Sequence, residues 1–224
     1  MTPTSPFSEI SEEALFLHKQ ILAEAEANAE IKSIYRGCHL LFSPLVDMPK
    51  ILLIGFNPGG EYFKHHGDVA EIFEPLPEME YYLNKHSLGE QNKDLFRMAG
   101  RESDLKENTV KTNFYFWATD NVADFKQLLT AELGRKIFHQ ARVWTKQLID
   151  GLQPEMIITE GFKAYEEIAV LFPQKLQEEN SEFVRSLVTP EGLLVLGYKR
   201  NQGSIIGKEK IVDALNSMAL IPKI

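Results

Sequence analysis

Three short runs dense in isoleucine, leucine and valine punctuate the chain: ILLI at 51–54, MIIT at 156–159 and LLVL at 193–196. None alternates apolar with polar residues, so each predicts a strand covered on both faces, the pattern of a parallel sheet between helices. A fourth run, TVKTNFYFW at 109–117, is rich in β-branched and aromatic residues and predicts a strand that runs into a loop. Helical spacing fills the intervals. A first helix is expected from Ser8 or Ser11, either of which suits an N-cap, to about Ile31, with Leu15, Ile21, Leu22 and Ala25 as an approximate stripe. Asp124 to Gly151 predicts two helices split near Gly134, with Phe138, Ala141, Trp144 and Leu148 on one apolar face. A helix with Ala164, Ile168 and Leu171 follows Gly161, a charged helical stretch covers about 174–187, and a last helix runs from Lys208 to Met218. HLLF at 39–42 reads as an edge strand or a strap, and 61–90 as a long irregular loop with short helical turns. Strands alternating with helices predict a three-layer α/β/α domain on a central parallel sheet. One domain over 1–224 is expected, with residues 1–7 loosely held.

Composition narrows the setting. The chain has 224 residues, 44% of them hydrophobic, enough for one substantial core. No apolar run approaches 18 residues and the N-terminus is polar and acidic, so the expectation is a cytoplasmic chain without a membrane span. The lone cysteine, Cys38, reads as a small buried hydrophobe. A net charge of -8 counts against a strong DNA binder, although a local basic patch suffices for an enzyme that touches its substrate briefly.

In an open parallel sheet, ligands bind beyond the carboxyl ends of the strands. Gly55 to Gly60, Thr112 and Asn113, Glu160 and Gly161, and Tyr198 to Ser204 all fall at such ends. The most unusual is GFNPGG, 55–60, where Pro58 stiffens a turn and Gly59 and Gly60 allow a ligand close to backbone amides. It lacks the lysine of a phosphate loop and the spacing of a dinucleotide fingerprint. Asn57 places a side-chain amide within this turn, either as a site residue or as an Asx-type turn bond.

A strand ending in Gly-x-Asn-Pro-Gly resembles the first motif of the uracil-DNA glycosylase superfamily, in particular its mismatch-specific and single-strand-selective branches. WTKQLIDGLQPEMIITEGFKAYE, 144–166, is similar to that family's helix, Leu-x-Pro, hydrophobic strand, glycine and alanine-bearing helix. VKTN at 110–113 resembles the strand that delivers an asparagine to the base-recognition edge. The resemblance implies the family's α/β/α fold and hydrolysis of the N-glycosidic bond of uracil or another damaged or mismatched base in DNA. On that basis Asn57 would orient the attacking water, Gly55 and Phe56 would lend backbone to the base pocket beside Pro58 and Gly59, and Asn113 would pair with the flipped base. Phe114 or Phe116 would stack on it. The family's closing His-Pro-Ser motif is replaced here by GYKRNQGS, 197–204. Tyr198, Lys199 and Arg200 are the candidate donors to the leaving base, with Ser204 near phosphate and His65 and His66 as substitutes from the loop. Neither metal nor cofactor is implied. Glu160 is placed to polarise water, bind a sugar hydroxyl or cap the next helix, and the acidic residues from Asp68 to Glu80 read as a solvated surface. The other readings are a divergent relative that binds a nucleobase, nucleoside or other small ligand without glycosylase activity, and a scaffold with a decayed site.

Overall fold

The apolar runs fold as neighbouring strands of one sheet. The computed structural model describes residues 6–59, 70–130 and 132–218, and these divide into two compact units.

The first unit, drawn from 42–56, 76–112 and 152–224, holds a six-stranded sheet. Strand β2 (Ile51–Gly55) pairs in parallel with β6 (Met156–Thr159), and β6 in parallel with β9 (Leu194–Tyr198). β4 (Thr109–Asn113) borders β2 on the other side. The sheet is mixed rather than parallel throughout, because β8 (Val184–Val188) and β7 (Gln177–Asn180) continue it antiparallel to β9 and to each other. The charged stretch expected as a helix at 174–187 is therefore a hairpin. Val184, Leu187 and Val188 are buried there, while all four residues of β7 are exposed. The Ser181 hydroxyl closes the turn by accepting from Val184 N at 3.0 Å.

Alternation decides what each face buries. Ile51 and Leu53, Met156 and Ile158, and Leu194, Leu196 and Tyr198 share one core with residues of the helices α3 (Glu80–Leu83), α4 (Ser87–Met98), α5 (Glu102–Glu107) and α9 (Lys208–Met218). Helix α8 (Phe162–Val170) packs against β9, β6 and β8. Gly197 makes this possible, since a Cβ there would stand 2.7 Å from both Thr159 Oγ1 and Tyr165 Cβ. Helices thus lie on both faces of a central sheet, the general three-layer α/β/α arrangement.

The second unit draws on 1–41, 57–75 and 113–151. Helix α1 starts at Pro6, earlier than either serine, as proline's fixed φ suits a first turn. Its buried stripe is Ile10, Ala14, Leu17, Ile21 and Ala25, three or four residues apart. After α2 (Ala29–Ile34), strand β1 (Tyr35–His39) lies between β3 (Ala70–Ile72), which is parallel to it, and β5 (Trp117–Thr119), which is antiparallel. The strand therefore precedes most of HLLF. Helices α6 (Val122–Thr130) and α7 (Glu132–Leu152) follow, with Gly134 inside α7 rather than at the break. Phe116 stacks on Trp144 with centroids 5.4 Å apart and planes 9° from parallel, and Trp144 Nε1 donates to Glu13 Oε2 at 2.6 Å. Trp117, Trp144 and Cys38 are buried as their residue types predict. No helix among the described residues is long and apolar enough to cross a membrane.

Candidate functional site

Beyond Gly55 the chain turns through Phe56 and Asn57, and Gly59 then forms a parallel bridge with Thr119. Asn57 Nδ2 donates to Pro58 O at 3.1 Å and to Thr119 Oγ1 at 3.3 Å. The Thr119 hydroxyl itself donates to Asn121 O at 2.8 Å. Its proton is thereby committed, so towards Asn57 it acts as an acceptor, and the carbonyl of Pro58 accepts only. Both neighbours require the NH2 side of the amide, which turns Asn57 Oδ1 away from them. This oxygen of the half-buried Asn57 accepts no hydrogen bond among the described residues, and none of them comes within 4 Å of where a Cβ on the exposed Gly59 would stand. Such a fixed acceptor can hold a water or an N–H donor in one orientation.

Asn113 closes β4, the strand next to β2, with its side chain buried. Phe114 and Phe116 are sealed in an aromatic core, Phe114 edge-on to Tyr115 at 4.9 Å and Phe116 against Trp144. Gly55 and Pro58 are buried, and Phe56 is half-buried. His65 and His66 lie outside the described residues.

A second polar assembly occupies the unit that carries the six-stranded sheet. Met156 and Ile158 face its core, so alternation sends Glu160 to that face too, and continuing the β6–β9 register sets Glu160 opposite Tyr198. Glu160 Oε1 accepts from the Tyr81 hydroxyl and from Asn92 Nδ2 at 3.0 Å, and Asn92 Oδ1 accepts from the Tyr198 hydroxyl at 2.8 Å. On the other side Oε2 stands 3.9 Å from Lys111 Nζ. Lys111, buried on β4, donates to Glu80 Oε2 at 2.9 Å and lies over the rings of Phe42 and Tyr81. His86 Nδ1 accepts from Gly89 N at 3.2 Å as the cap of α4, which leaves Nε2 beside Glu80 Oε1 at 3.1 Å. Burial alone would push the Glu80 carboxyl up, but Lys111 and His86 together pull it down to about 2. Burial, reinforced by the charge of Glu160, pushes both tyrosine hydroxyls well above their ordinary 10, so they act as neutral donors. Glu80 thus corrects the reading of the acidic run as a solvated surface: its partner Lys111 lies 31 positions away in sequence.

The candidate donors of 198–204 separate. The Tyr198 hydroxyl is buried and spent on Asn92. Lys199 pairs with Glu182 at 3.1 Å, and Lys208 stands 3.8 Å from Asp94. Arg200 is anchored by backbone: Nε donates to Glu160 O and Nη1 to Gln202 O, both at 2.8 Å. It has no carboxylate partner among the described residues, so its charge is held in place without being cancelled. Gly161, at φ 105°, lets this side chain cross it, because a Cβ would stand 3.2 Å from Arg200 Nε. Ser204 is exposed in the short hairpin of β10 (Arg200–Asn201) and β11 (Ser204–Ile205). Glu160 caps nothing, since Gly161 precedes α8 without a side-chain cap.

Sequence reasoning missed Thr119, Tyr81, Asn92, Lys111 and His86. Lys111 alone left a signal, a charge in the middle of the β-branched run TVKTN. Among the described residues no group of histidine, cysteine, aspartate and glutamate is arranged to hold a metal ion.

Fold and site together define a mixed α/β protein with an anchored asparagine at a strand exit. No protein-family model matches the chain, and no curated protein matches it.

Proposed function

We propose that the chain hydrolyses the N-glycosidic bond of uracil or another damaged or mismatched base in DNA, on the fold of the uracil-DNA glycosylase superfamily that its motifs resemble. The anchoring of Asn57 carries this reading. In such a reaction a water oxygen bonds to the sugar C1′, the C1′–N bond breaks, the base leaves with the electron pair, and the proton that the water loses ends on the departing base, giving an abasic site and the free base. Positive character builds on the sugar and negative charge on the base, so the water must be held rather than recruited. Asn57 Oδ1 accepts a hydrogen bond from that water, and Thr119 keeps the amide from rotating. Asn113 reads the hydrogen-bonding edge of the flipped base, and Arg200, which has no carboxylate partner among the described residues, is a candidate contact for a DNA phosphate.

A second reading, a nucleobase-binding protein without repair chemistry, draws support from the pairing of Lys199 and Lys208 with carboxylates, which weakens any basic track for DNA. Single-turnover assays on oligonucleotides carrying uracil, hypoxanthine or mismatched thymine decide between them. Release of base that depends on Asn57 supports hydrolysis, whereas saturable binding of free base without release supports the second reading.

A further inference from the structure

Among the described residues the outer edge of β7 is open: it is the last strand of its sheet, and all four of its residues are exposed. A groove runs along each face beside it. One, of about 540 Å³, is lined by Tyr165, Ala169 and Val170 of α8 with Glu178, Asn180 and Arg185. The other, of about 630 Å³, lies between Glu179, Val184 and Ser186 and the α9 residues Lys210, Ala214 and Ser217. Glu178 and Glu179 thus point to opposite faces, as adjacent strand residues must.

The floor of the first groove holds an independent sign of a missing partner. Tyr165 is 3% exposed, and its hydroxyl has no hydrogen-bond partner among the described residues. Beside it Val170 is 56% exposed, an apolar surface that no described residue covers. Arg185 is already tied to Glu166 at 2.7 Å and packed on the Phe162 ring, so it does not fill the groove.

We propose that β7 is the docking edge for an extended basic peptide segment of a partner protein, which adds as a seventh strand. Backbone hydrogen bonds supply the pairing, and alternate side chains enter the two grooves. Successive lysine or arginine residues meet Glu178 on one face and Glu179 on the other, the opposite-charge arrangement that stabilises neighbouring strands. A long basic side chain lying along α8 rests its stem on Val170 and donates both to Glu178 and to the Tyr165 oxygen. Glu178 is held by the exposed Lys175 at 2.8 Å and by Asn180, contacts with which an incoming cation competes, and among the described residues Glu179 accepts from Gln177. A second copy of β7 would set carboxylate against carboxylate, which disfavours self-pairing.

Fluorescence anisotropy with a labelled octapeptide built from alternating Lys-Arg and Val-Thr pairs tests this, beside a peptide with glutamate at the basic positions and a basic one with proline at alternate positions. The basic strand-forming peptide is expected to bind saturably. Reversing both charges, Glu178→Lys with Glu179→Lys, should weaken it at least ~10-fold through loss of two cross-strand attractions and gain of two repulsions. Tyr165→Phe should weaken it about 3-fold, as loss of one modest hydrogen bond does, and Asn57→Ala should leave it unchanged, so this claim stands or falls apart from the glycosylase reading. Equal binding of the proline peptide, undiminished binding by the charge-reversed protein, no binding at millimolar peptide, or a dimer that the charge reversal alters would each overturn the proposal.

Discussion

Asn57 and Lys111 are two polar residues put to contrasting uses. Asn57 spends its two N–H groups on Pro58 and Thr119, and its oxygen accepts no hydrogen bond among the described residues. Thr119→Val should therefore leave the fold intact yet let the amide turn, slowing base release by about 10-fold, at the modest end of what a held group contributes; a rate equal to wild type would show that the anchor is idle. Lys111 is wholly consumed by its surroundings. Lys111→Met strands two buried carboxylates, an error that costs about 3–5 kcal/mol, and urea unfolding of Lys111→Met beside a Lys111→Met/Glu80→Gln double variant should show partial recovery. Glu80 makes stability depend on pH. Its carboxyl sits at about 2 in the folded chain against an ordinary 4.5, so its contribution is full above 4.5 and is lost as pH falls from there towards 2. The amount is roughly 3 kcal/mol. Urea midpoints followed from pH 6 to pH 2.5 should drop less steeply in Glu80→Gln. Little of this was legible in sequence: Asn57 announces itself by the glycines around it, whereas Glu80 sits in a run of acids that looks solvated.

The elements read most clearly where burial is symmetric. Residues 51–54, 156–159 and 194–196 lie in strands whose two faces are both buried, and the apolar run of each predicts that strand. Helix α9 spans the expected 208–218 for a similar reason, a regular stripe of Ile211 and Leu215 against a polar face. The β7–β8 hairpin escaped because an edge strand buries almost nothing, so Gln-Glu-Glu-Asn carries the same composition as a solvated helix. Register with β9 decided it, and register is non-local. The strand ends also depend on close approach, which sequence hints at only through glycine. Gly197→Ala should force a Cβ to within 2.7 Å of Thr159 and Tyr165 and destabilise the chain by about 1–3 kcal/mol, as overpacking does. An unchanged thermal midpoint in that variant would mean that α8 shifts freely on the sheet.

At the scale of the whole molecule, a net charge of -8 sets the terms on which DNA can be engaged. With Lys199 and Lys208 paired, few phosphates are neutralised, so affinity should be low and the slope against log salt shallow. Arg200→Gln should flatten that slope by about one contact's worth, and a steep slope untouched by this change would move the interface elsewhere. The motifs made the candidate chemistry readable as a resemblance across the chain, while the buried Glu160 network, assembled from β4, β9, α3, α4 and the residue after β6, showed in sequence only through the charge of Lys111 and the strand-end positions of Glu160 and Tyr198. The central claim is that Asn57 holds the water that releases a base. Its most direct test is the single-turnover release of uracil from a saturated oligonucleotide by the wild type and by Asn57→Ala, with urea midpoints confirming equal folding. Base release by the wild type and a rate lower by about 100-fold in the variant are expected. Equal rates in the two proteins, or no abasic product from the wild type on uracil, hypoxanthine or mismatched thymine, would contradict the claim.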